Sequence, residues 1–375
     1  MKRTLRVGFD LNPLKTQLKK KRGIGFATLR IAEELMTIST SLPFELIFYA
    51  QEDETFNYYL PDANIRYIKD CTHLPEILKC DNINLFHFND YFFPLYNPED
   101  FINEKFSFLS TLITVYDMFP LQYKTNNNQL FTRNLLSIIN HIDNITTISQ
   151  DSEIQLINFA GISTNKITTI LCGIDHTIFH SNYFPEEIKE IKKIYGLEND
   201  FILQVGAIDK RKNQIFTLEA YKILLDNFTP FLDLVFVGGT VTTELQHYID
   251  ENKLTKRVKF LGLVPDKHLP LIYNAAKIFA YPSLNEGFGN PPLEAMACGI
   301  PVISSDRGSL PEVLGDCAEY INPLNKNELA KAILYLLTRS EKNITMVNNG
   351  LEHVKKYSWE KTVNNLVKLY TNILF

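Results

Sequence analysis

Short apolar runs alternate with segments of helical periodicity along most of this 375-residue chain. The runs are apolar at nearly every position, which is typical of strands buried on both faces. Strands of this kind, separated by helices, form parallel sheets that helices cover on both sides. The expected strands are 5–11, 44–50, 83–89, 110–117, 145–149, 167–174, 201–208, 232–239, 258–262, 277–283 and 301–306.

The two series of strands indicate two doubly wound α/β domains, since a single core rarely grows beyond about 300 residues. A polar, aperiodic stretch at 176–187 is the expected linker. We therefore expect an N-terminal domain over 1–180 and a C-terminal domain over 181–357. Residues 358–375 have one apolar face and predict an amphipathic helix that packs back on the N-terminal domain.

Composition excludes several classes of protein. The net charge is −5, whereas a nucleic-acid partner calls for a basic excess. The five cysteines are scattered and form no C-x-x-C, so neither a disulfide framework nor a metal site is expected. No apolar run approaches the roughly 20 residues that span a bilayer, and the first apolar run suits a strand better than a signal peptide. A cytoplasmic protein is expected.

The stretch "YPSLNEGFGNPPLEAMACGIPVISSD" (281–306) has the pattern of an anion site. Pro291 and Pro292 suit the first turn of a helix, and Gly299 suits its C-terminal cap. The free N–H groups and the dipole at the start of a helix favour an anion. Gly287 and Gly289 let the backbone approach that anion closely.

Two carboxylates flank this anion site. Glu286 lies in the loop, and Glu294 is expected on the first helical turn. A carboxylate holds an anion poorly but accepts hydrogen bonds from neighbouring hydroxyls, so the pair predicts sugars on both sides of phosphates, as in a nucleotide-sugar. The alternative is that Glu294 caps the helix and Glu286 is a solvated loop residue.

Residues 286–302, "EGFGNPPLEAMACGIPV", resemble the signature E-G-F-G-x-P-x-L-E-A-M-A-x-G-x-P-V of retaining, family-four glycosyltransferases of the GT-B fold. The continuation "SSDRGSLPEVLGDCAEYINP" also resembles that family and predicts a capping box from Ser309 to Glu312. "VGAIDKRKNQ" (205–214), "FLGLVPDKHLPLIYNAA" (260–276) and "LCGIDHTIF" (171–179) extend the resemblance. It implies two Rossmann-like domains that face each other across a cleft.

The resemblance also implies roles for residues of the second half. Arg211 and Lys212 would neutralise the donor diphosphate, and Glu286 would hold hydroxyls of the transferred sugar, which makes these three the catalytic candidates. Glu294 would hold the ribose hydroxyls. The full donor-binding set would be Gly25, Gly206, Asn213, Val264, Gly287, Phe288, Gly289, Leu293 and Glu294. A plain solvated loop is the alternative for 210–213.

The N-terminal half resembles the family more loosely. "RGIGFATLRIAEEL" (22–35) resembles its G-x-G loop, with Gly25 able to bring a backbone N–H near the donor. "TVYDMFPLQY" (114–123) resembles T-x-H-D-x-x-P, with Asp117 matching and Tyr116 in place of the histidine. "TTISQDSEIQL" resembles a segment that places Ser149 near the cleft. Asp117 and Ser149 are the acceptor-side candidates.

The implied reaction is metal-independent transfer of a hexose, with retention, from a nucleotide diphosphate-sugar to a glycan or lipid-linked acceptor in surface polysaccharide synthesis. GDP-mannose is favoured as donor and UDP-sugars remain open; no other cofactor is expected. A run of basic residues is either a dock for the anionic inner face of the membrane or a solvated face: Lys15, Lys19, Lys20, Lys21 and Arg22.

Three other interpretations compete with that of a retaining glycosyltransferase. Tyr116 in place of the histidine leaves open a non-catalytic carbohydrate-binding protein of the GT-B fold. A sugar-nucleotide 2-epimerase shares the fold, but the E-G-F-G signature argues against it. A nicotinamide dehydrogenase is disfavoured because no strand runs directly into G-x-G-x-x-G.

Overall fold

The computed structural model describes residues 4–14, 23–51, 60–89, 96–118, 135–228 and 232–375. The chain forms two compact units. Unit 1 comprises Met1–Gly173 with Trp359–Phe375, and unit 2 comprises Ile174–Ser358. Each unit contains one parallel sheet with helices between its strands, so the predicted α/β class with two Rossmann-like units is confirmed.

In the part of unit 1 that the structure describes, seven strands form a sheet in the order β3-β2-β1-β4-β5-β6-β7. The strands are Arg6–Asp10 (β1), Glu45–Gln51 (β2), Ile65–Ile68 (β3), Leu85–Phe88 (β4), Ser110–Val115 (β5), Asn144–Thr147 (β6) and Ile167–Thr169 (β7). Its helices before the second unit are Ile24–Thr37 (α1), Leu74–Cys80 (α2), Pro98–Ile102 (α3) and Gln150–Ala160 (α4).

The centre of the unit 1 sheet is tightly packed. β4 is buried along its whole length, and β1 is buried from Val7 onward. Gly8 pairs with Phe86, and a Cβ at Gly8 would lie 2.5 Å from the Phe86 ring, so this position needs a glycine. The strand order reverses between β1 and β4, and in open α/β sheets ligands bind beyond the carboxyl ends of such strands.

In unit 2, six parallel strands of the described residues form a sheet in the order β10-β9-β8-β11-β12-β13. They are Asp200–Val205 (β8), Leu232–Val237 (β9), Val258–Phe260 (β10), Ile278–Tyr281 (β11), Val302–Ser305 (β12) and Glu319–Ile321 (β13). Its helices are Pro185–Ile194 (α5), Gln214–Asn227 (α6), Thr243–Glu251 (α7), Leu269–Ala275 (α8), Asn290–Ala297 (α9), Leu310–Leu314 (α10), Lys326–Thr338 (α11) and Ser340–Val354 (α12).

The last helix, Trp359–Leu374 (α13), belongs to unit 1. The Trp359 ring packs edge-on against Phe26 of α1, with ring centroids 6.2 Å apart. Tyr370 is fully buried, and its hydroxyl lies 2.6 Å from Nδ1 of His87 on β4. The chain therefore leaves unit 1 after Gly173 and returns to it at Trp359.

The division between the units falls earlier than the predicted boundary at residue 180, and the expected linker 176–187 lies inside unit 2. Ile174 forms a parallel bridge with Ser358. The carbonyl of His180 accepts a hydrogen bond from Asn274 Nδ2 at 2.9 Å. The polar stretch thus belongs to unit 2, and it lacks periodicity because its residues before Pro185, where α5 begins, form no helix or strand.

No helix within the described ranges is long and apolar enough to cross a membrane. The basic run from Lys15 to Arg22 lies outside the described residues.

Candidate active site

The predicted cations and Glu286 follow two neighbouring strands of unit 2. Arg211 and Lys212 lie in a short 3-10 turn after β8, and Glu286 lies in the loop after β11. β8 and β11 pair directly at the point where the strand order reverses. The three residues therefore meet where open α/β sheets bind their ligands.

The three side chains form one ion-pair cluster. Lys212 Nζ donates to Glu286 Oε1 at 2.6 Å, and Arg211 Nη1 donates to Glu286 Oε2 at 2.5 Å. The hydroxyl of Ser283 also donates to Oε1, at 2.5 Å. Lys212 and Glu286 are each only 7% exposed. Both Glu286 oxygens are thus occupied, and the cluster holds two cations against one carboxylate.

Burial and charge compete in setting the protonation of this cluster. Burial raises the pKa of Glu286, but the charges of Lys212 and Arg211 outweigh it and hold this pKa at about 2. Burial lowers the pKa of Lys212, while Glu286 opposes that shift. The hydroxyl of Tyr281, at the end of β11, accepts a hydrogen bond from Lys212 Nζ. Glu286 is therefore ionised at neutral pH.

Hydrogen bonds between side chains and backbone groups fix the turn that carries Arg211 and Lys212. The carboxylate of Asp209 accepts a hydrogen bond from the backbone N–H of Lys212 at 3.0 Å. Gln204 Nε2 donates to the Lys212 carbonyl at 2.6 Å. Asn213 adopts a left-handed conformation, and its side-chain amide donates to the carbonyls of Pro282 and Pro323. The turn after β8 is thereby tied to the loops after β11 and β13.

The loop that carries Glu286 is held by Ser309. Its hydroxyl lies 2.9 Å from the carbonyl oxygens of both Glu286 and Phe288. The predicted capping box from Ser309 to Glu312 is therefore wrong, because the Ser309 side chain makes no capping hydrogen bond to α10. A Cβ at the preceding Gly308 would lie 2.5 Å from the Asn285 side chain, so this close approach requires glycine.

The helix after the loop begins where the prolines predicted it. Gly289 precedes α9 with φ of 106°, prolines stand in its first turn, and Gly299 follows it with φ of 74°. The expectation that Glu294 lies in the first turn is wrong. The helix α9 begins at Asn290, and its first turn holds no acidic residue. Glu294 is partly exposed and accepts a hydrogen bond from Tyr273 of α8 at 2.8 Å.

The other donor-side candidates lie around this centre or in the core of unit 2. Gly206 directly follows β8, and a Cβ there would lie 3.3 Å from the Lys212 side chain. Val264 is buried in the segment after β10. Phe288 packs edge-on against Tyr357 with ring centroids 5.8 Å apart, and Leu293 is fully buried. Gly287 is half-buried in the same loop.

Three candidates lie in unit 1 instead. Gly25 is buried near the start of α1, two residues after Gly23, whose φ is 73°. Asp117 is partly exposed just after β5, beside the buried Tyr116. Ser149 accepts a hydrogen bond from the backbone N–H of Ser152 at 3.1 Å and caps α4.

Sequence reasoning missed Tyr273, Tyr281 and Ser283 in unit 2 and assigned Ser309 to a helix cap instead of to the Glu286 loop. Ser283 could have been noticed, because polar residues directly after a buried strand lie at the ligand-binding edge of a parallel sheet. The same signal marks unit 1, where Asn89 after β4 donates from Nδ2 to the Asp10 carbonyl at 2.9 Å. In the ranges that the structure describes, no group of three or more His, Cys, Asp or Glu side chains is placed to hold a metal ion.

Residues 186–353 match the family model of glycosyl transferases group 1. The chain is 28% identical to the serotype-specific mannosyltransferase WbdA of Escherichia coli over 70% of this chain and 34% of that protein. It is 32% identical to the O-antigen chain mannosyltransferase B of Escherichia coli over 60% of each chain. The chain thus spans about a third of the first of these relatives and less than two thirds of the second.

A glycosyltransferase structure from Rickettsia africae is similar in fold, with a TM-score of 0.79, 17% identity and coverage of 99% of both chains. The family match covers the region that carries Arg211, Lys212, Glu286 and Glu294. The GT-B fold, the motif residues and the family match agree, and residues 186–353 of this chain are similar to the glycosyl transferases group 1.

Proposed function

We propose that this protein is a retaining glycosyltransferase that transfers mannose from GDP-mannose to a hydroxyl of a glycan or lipid-linked acceptor in surface polysaccharide synthesis. The observation that carries the proposal is the ion-pair cluster of the buried Lys212 and Glu286 with the partly exposed Arg211, at the strand reversal of unit 2. The O-antigen and serotype-specific mannosyltransferases among its relatives favour mannose and this class of acceptor.

The cluster suits a diphosphate because it holds an excess of positive charge in a buried place. A donor diphosphate would share Arg211 and Lys212 with Glu286, and these donors would stabilise the charge that develops as the diphosphate leaves. Preorganised donors of this kind contribute on the order of 3 kcal/mol each. We propose that the two side chains supply this charge without a divalent metal.

In the proposed reaction the bond between the anomeric carbon and the β-phosphate oxygen breaks, and the acceptor oxygen forms its bond on the same face. The leaving phosphate takes the acceptor proton, so no nucleophile of the protein is needed. Glu286 would hold hydroxyls of the transferred sugar, and Glu294 the ribose hydroxyls. This differs from retaining glycosidases, in which a carboxylate attacks the sugar.

Unit 1 is proposed to bind the acceptor, with Asp117 and Ser149 on the acceptor side and the backbone at Gly25 reaching the donor. We propose that the basic run from Lys15 to Arg22 brings the protein to the anionic inner face of the membrane, where a lipid-linked acceptor would lie. Absence of binding to anionic vesicles at low salt would contradict the membrane proposal alone.

A panel of donors tests the proposal. Thermal unfolding is measured with GDP-mannose, GDP-glucose, UDP-glucose and UDP-N-acetylglucosamine, since a ligand at 100 times its dissociation constant adds about 2.7 kcal/mol of stability. GDP-mannose should give the largest shift and should slowly release GDP when no acceptor is present. A larger shift with a UDP-sugar would indicate that the UDP-sugar, and not GDP-mannose, is the donor. Stabilisation without any release of nucleoside diphosphate would favour a non-catalytic carbohydrate-binding protein.

A further inference from the structure

A buried hydroxyl fixes the second carboxylate of the site. Tyr273 of α8 donates from its hydroxyl to Glu294 Oε2 of α9 at 2.8 Å. Tyr273 is fully buried, whereas Glu294 is partly exposed. The hydrogen bond therefore joins a side chain of the core to a carboxylate at the surface of the unit, on the helix that follows the Glu286 loop.

The Tyr273 ring is locked by its neighbours. Its centroid lies 5.5 Å from the ring of Phe279 on β11 and 6.0 Å from that of Phe179, which precedes α5. Both of these phenylalanines are buried. Because the ring cannot turn away, its hydroxyl points at a fixed place, and a rigid neighbour of this kind orients a flexible functional side chain.

We propose that Tyr273 is a positioning residue that holds Glu294 in the orientation in which it accepts hydrogen bonds from the donor ribose. The inference rests on the proposed function, which assigns the ribose to Glu294. A carboxylate offers about four acceptor positions, so one phenol does not exhaust it. An oriented Glu294 also loses less side-chain entropy when the donor binds, which strengthens binding without a new contact.

The same aromatic layer reaches the ion-pair cluster. Phe279 stacks on Tyr281 with ring centroids 5.7 Å apart, and Tyr281 accepts the hydrogen bond from Lys212. A change in the packing of Tyr273 would therefore disturb both ends of the site. The test must remove the hydroxyl and keep the ring, as Tyr273→Phe does.

Tyr221→Phe is the matched control. Tyr221 is also fully buried in unit 2, and its hydroxyl donates to the carbonyl of Leu232 at 2.6 Å. Leu232 is the first residue of β9, so this bond lies at the opposite end of the sheet from the site. The control loses a comparable buried hydrogen bond without touching Glu294.

The experiment measures binding of GDP and of 2′,3′-dideoxy-GDP by calorimetry, with UDP and its dideoxy analogue as a second pair. Tyr273→Phe should weaken GDP binding about tenfold, leave dideoxy-GDP binding unchanged, and raise the donor KM at an unchanged kcat. The double variant Tyr273→Phe/Glu294→Gln should bind GDP no more weakly than Glu294→Gln alone, because both changes act on one contact. Tyr221→Phe should bind both nucleotides as the wild type does.

Unchanged GDP affinity in Tyr273→Phe, or an equal loss for GDP and the dideoxy analogue, would overturn the positioning role while the proposed function stands. Additive losses in the double variant would overturn it as well. If the wild-type protein binds neither GDP nor UDP, the proposed function itself fails, and the inference fails with it.

Discussion

At the scale of single residues, Lys212 carries the sharpest prediction about activity. Lys212→Ala should lower kcat by about 100-fold to 1,000-fold, because the variant loses the preorganised cation that we propose faces the leaving diphosphate. Lys210→Ala is the control, since Lys210 is exposed in the same turn and should leave turnover unchanged. The measurement is release of nucleoside diphosphate in a single turnover. Equal turnover in the two variants would remove Lys212 from the diphosphate site.

Glu286 should affect stability as well as activity. Glu286→Gln leaves the buried Lys212 without its counter-charge, and breaking a buried ion pair in this way costs about 3–5 kcal/mol. We expect a loss of this size at pH 7, measured by urea unfolding followed by circular dichroism.

The effect of Glu286→Gln should shrink in acid. Folding lowers the pKa of Glu286 from 4.5 to about 2, so its contribution to stability is complete above pH 4.5 and is lost as the pH falls towards 2. The gap in stability between wild type and variant should therefore narrow below pH 4.5. A gap that stays constant from pH 7 to pH 3 would show that Glu286 is not ionised in the folded protein.

At the scale of elements, the sequence predicted the central strands of both sheets and one edge strand of each, β7 and β10, but not the other edge strand. β3 and β13 were missed, and each lies at an edge of its sheet. Most of their residues are only partly buried, so "IRYI" and "EYI" lack the continuous apolar run that marks a central strand. The short length of β3 and β13 also makes them hard to recognise in the sequence, since three or four residues show no clear period.

The site was predictable to the extent that its residues follow strands or begin helices. The anion-site pattern located α9 and the Glu286 loop, but it did not reveal that Glu286 binds Arg211 and Lys212. That contact joins residues far apart in sequence and depends on the pairing of β8 with β11. Ser309 was assigned to a helix cap because the local pattern allowed one, whereas the tertiary fold directs its hydroxyl to the loop.

The attachment of α13 to the unit 1 sheet predicts a pH effect. His87 is fully buried. Its Nδ1 forms a hydrogen bond with the Tyr370 hydroxyl of α13, and its Nε2 forms one with the Thr114 hydroxyl of β5. Burial lowers its pKa from 6.5 to about 3, so between these values the unfolded chain binds more protons than the folded one. The stability of unit 1 should therefore fall as the pH drops below 6.5, by up to about 1.4 kcal/mol per pH unit.

This effect can be isolated with His87→Gln, which removes the titrating group and should flatten the slope between pH 6.5 and pH 4. The chain has one tryptophan, Trp359, and it is buried on α13, so its fluorescence reports the unfolding of unit 1. His247→Gln serves as the control, because the His247 side chain is 72% exposed. If the free energy of unfolding changes with pH equally in wild type and His87→Gln, the pKa of His87 is not lowered in the folded protein.

At the scale of the whole molecule, unit 2 is an insertion into unit 1 whose two ends lie side by side. Ile174 and Ser358 form a parallel bridge, and Gly173 and Trp359 belong to the other unit. Unit 2 also has its own apolar core, with β9 buried along its whole length. A segment with its own core and neighbouring ends has what a domain needs to fold alone.

We therefore expect residues 174–358 to fold as an isolated chain and to bind GDP within about tenfold of the full-length affinity. The reason is that all but one of the donor-binding candidates, Gly25 being the exception, lie in unit 2. The fragment should transfer no sugar, since the proposed acceptor residues Asp117 and Ser149 are absent from it. Circular dichroism checks the folding of the fragment. Calorimetry measures its affinity for GDP, and a transfer assay checks that it transfers no sugar. A folded fragment that fails to bind GDP, when the full chain does bind it, would show that unit 1 supplies an essential part of the donor site.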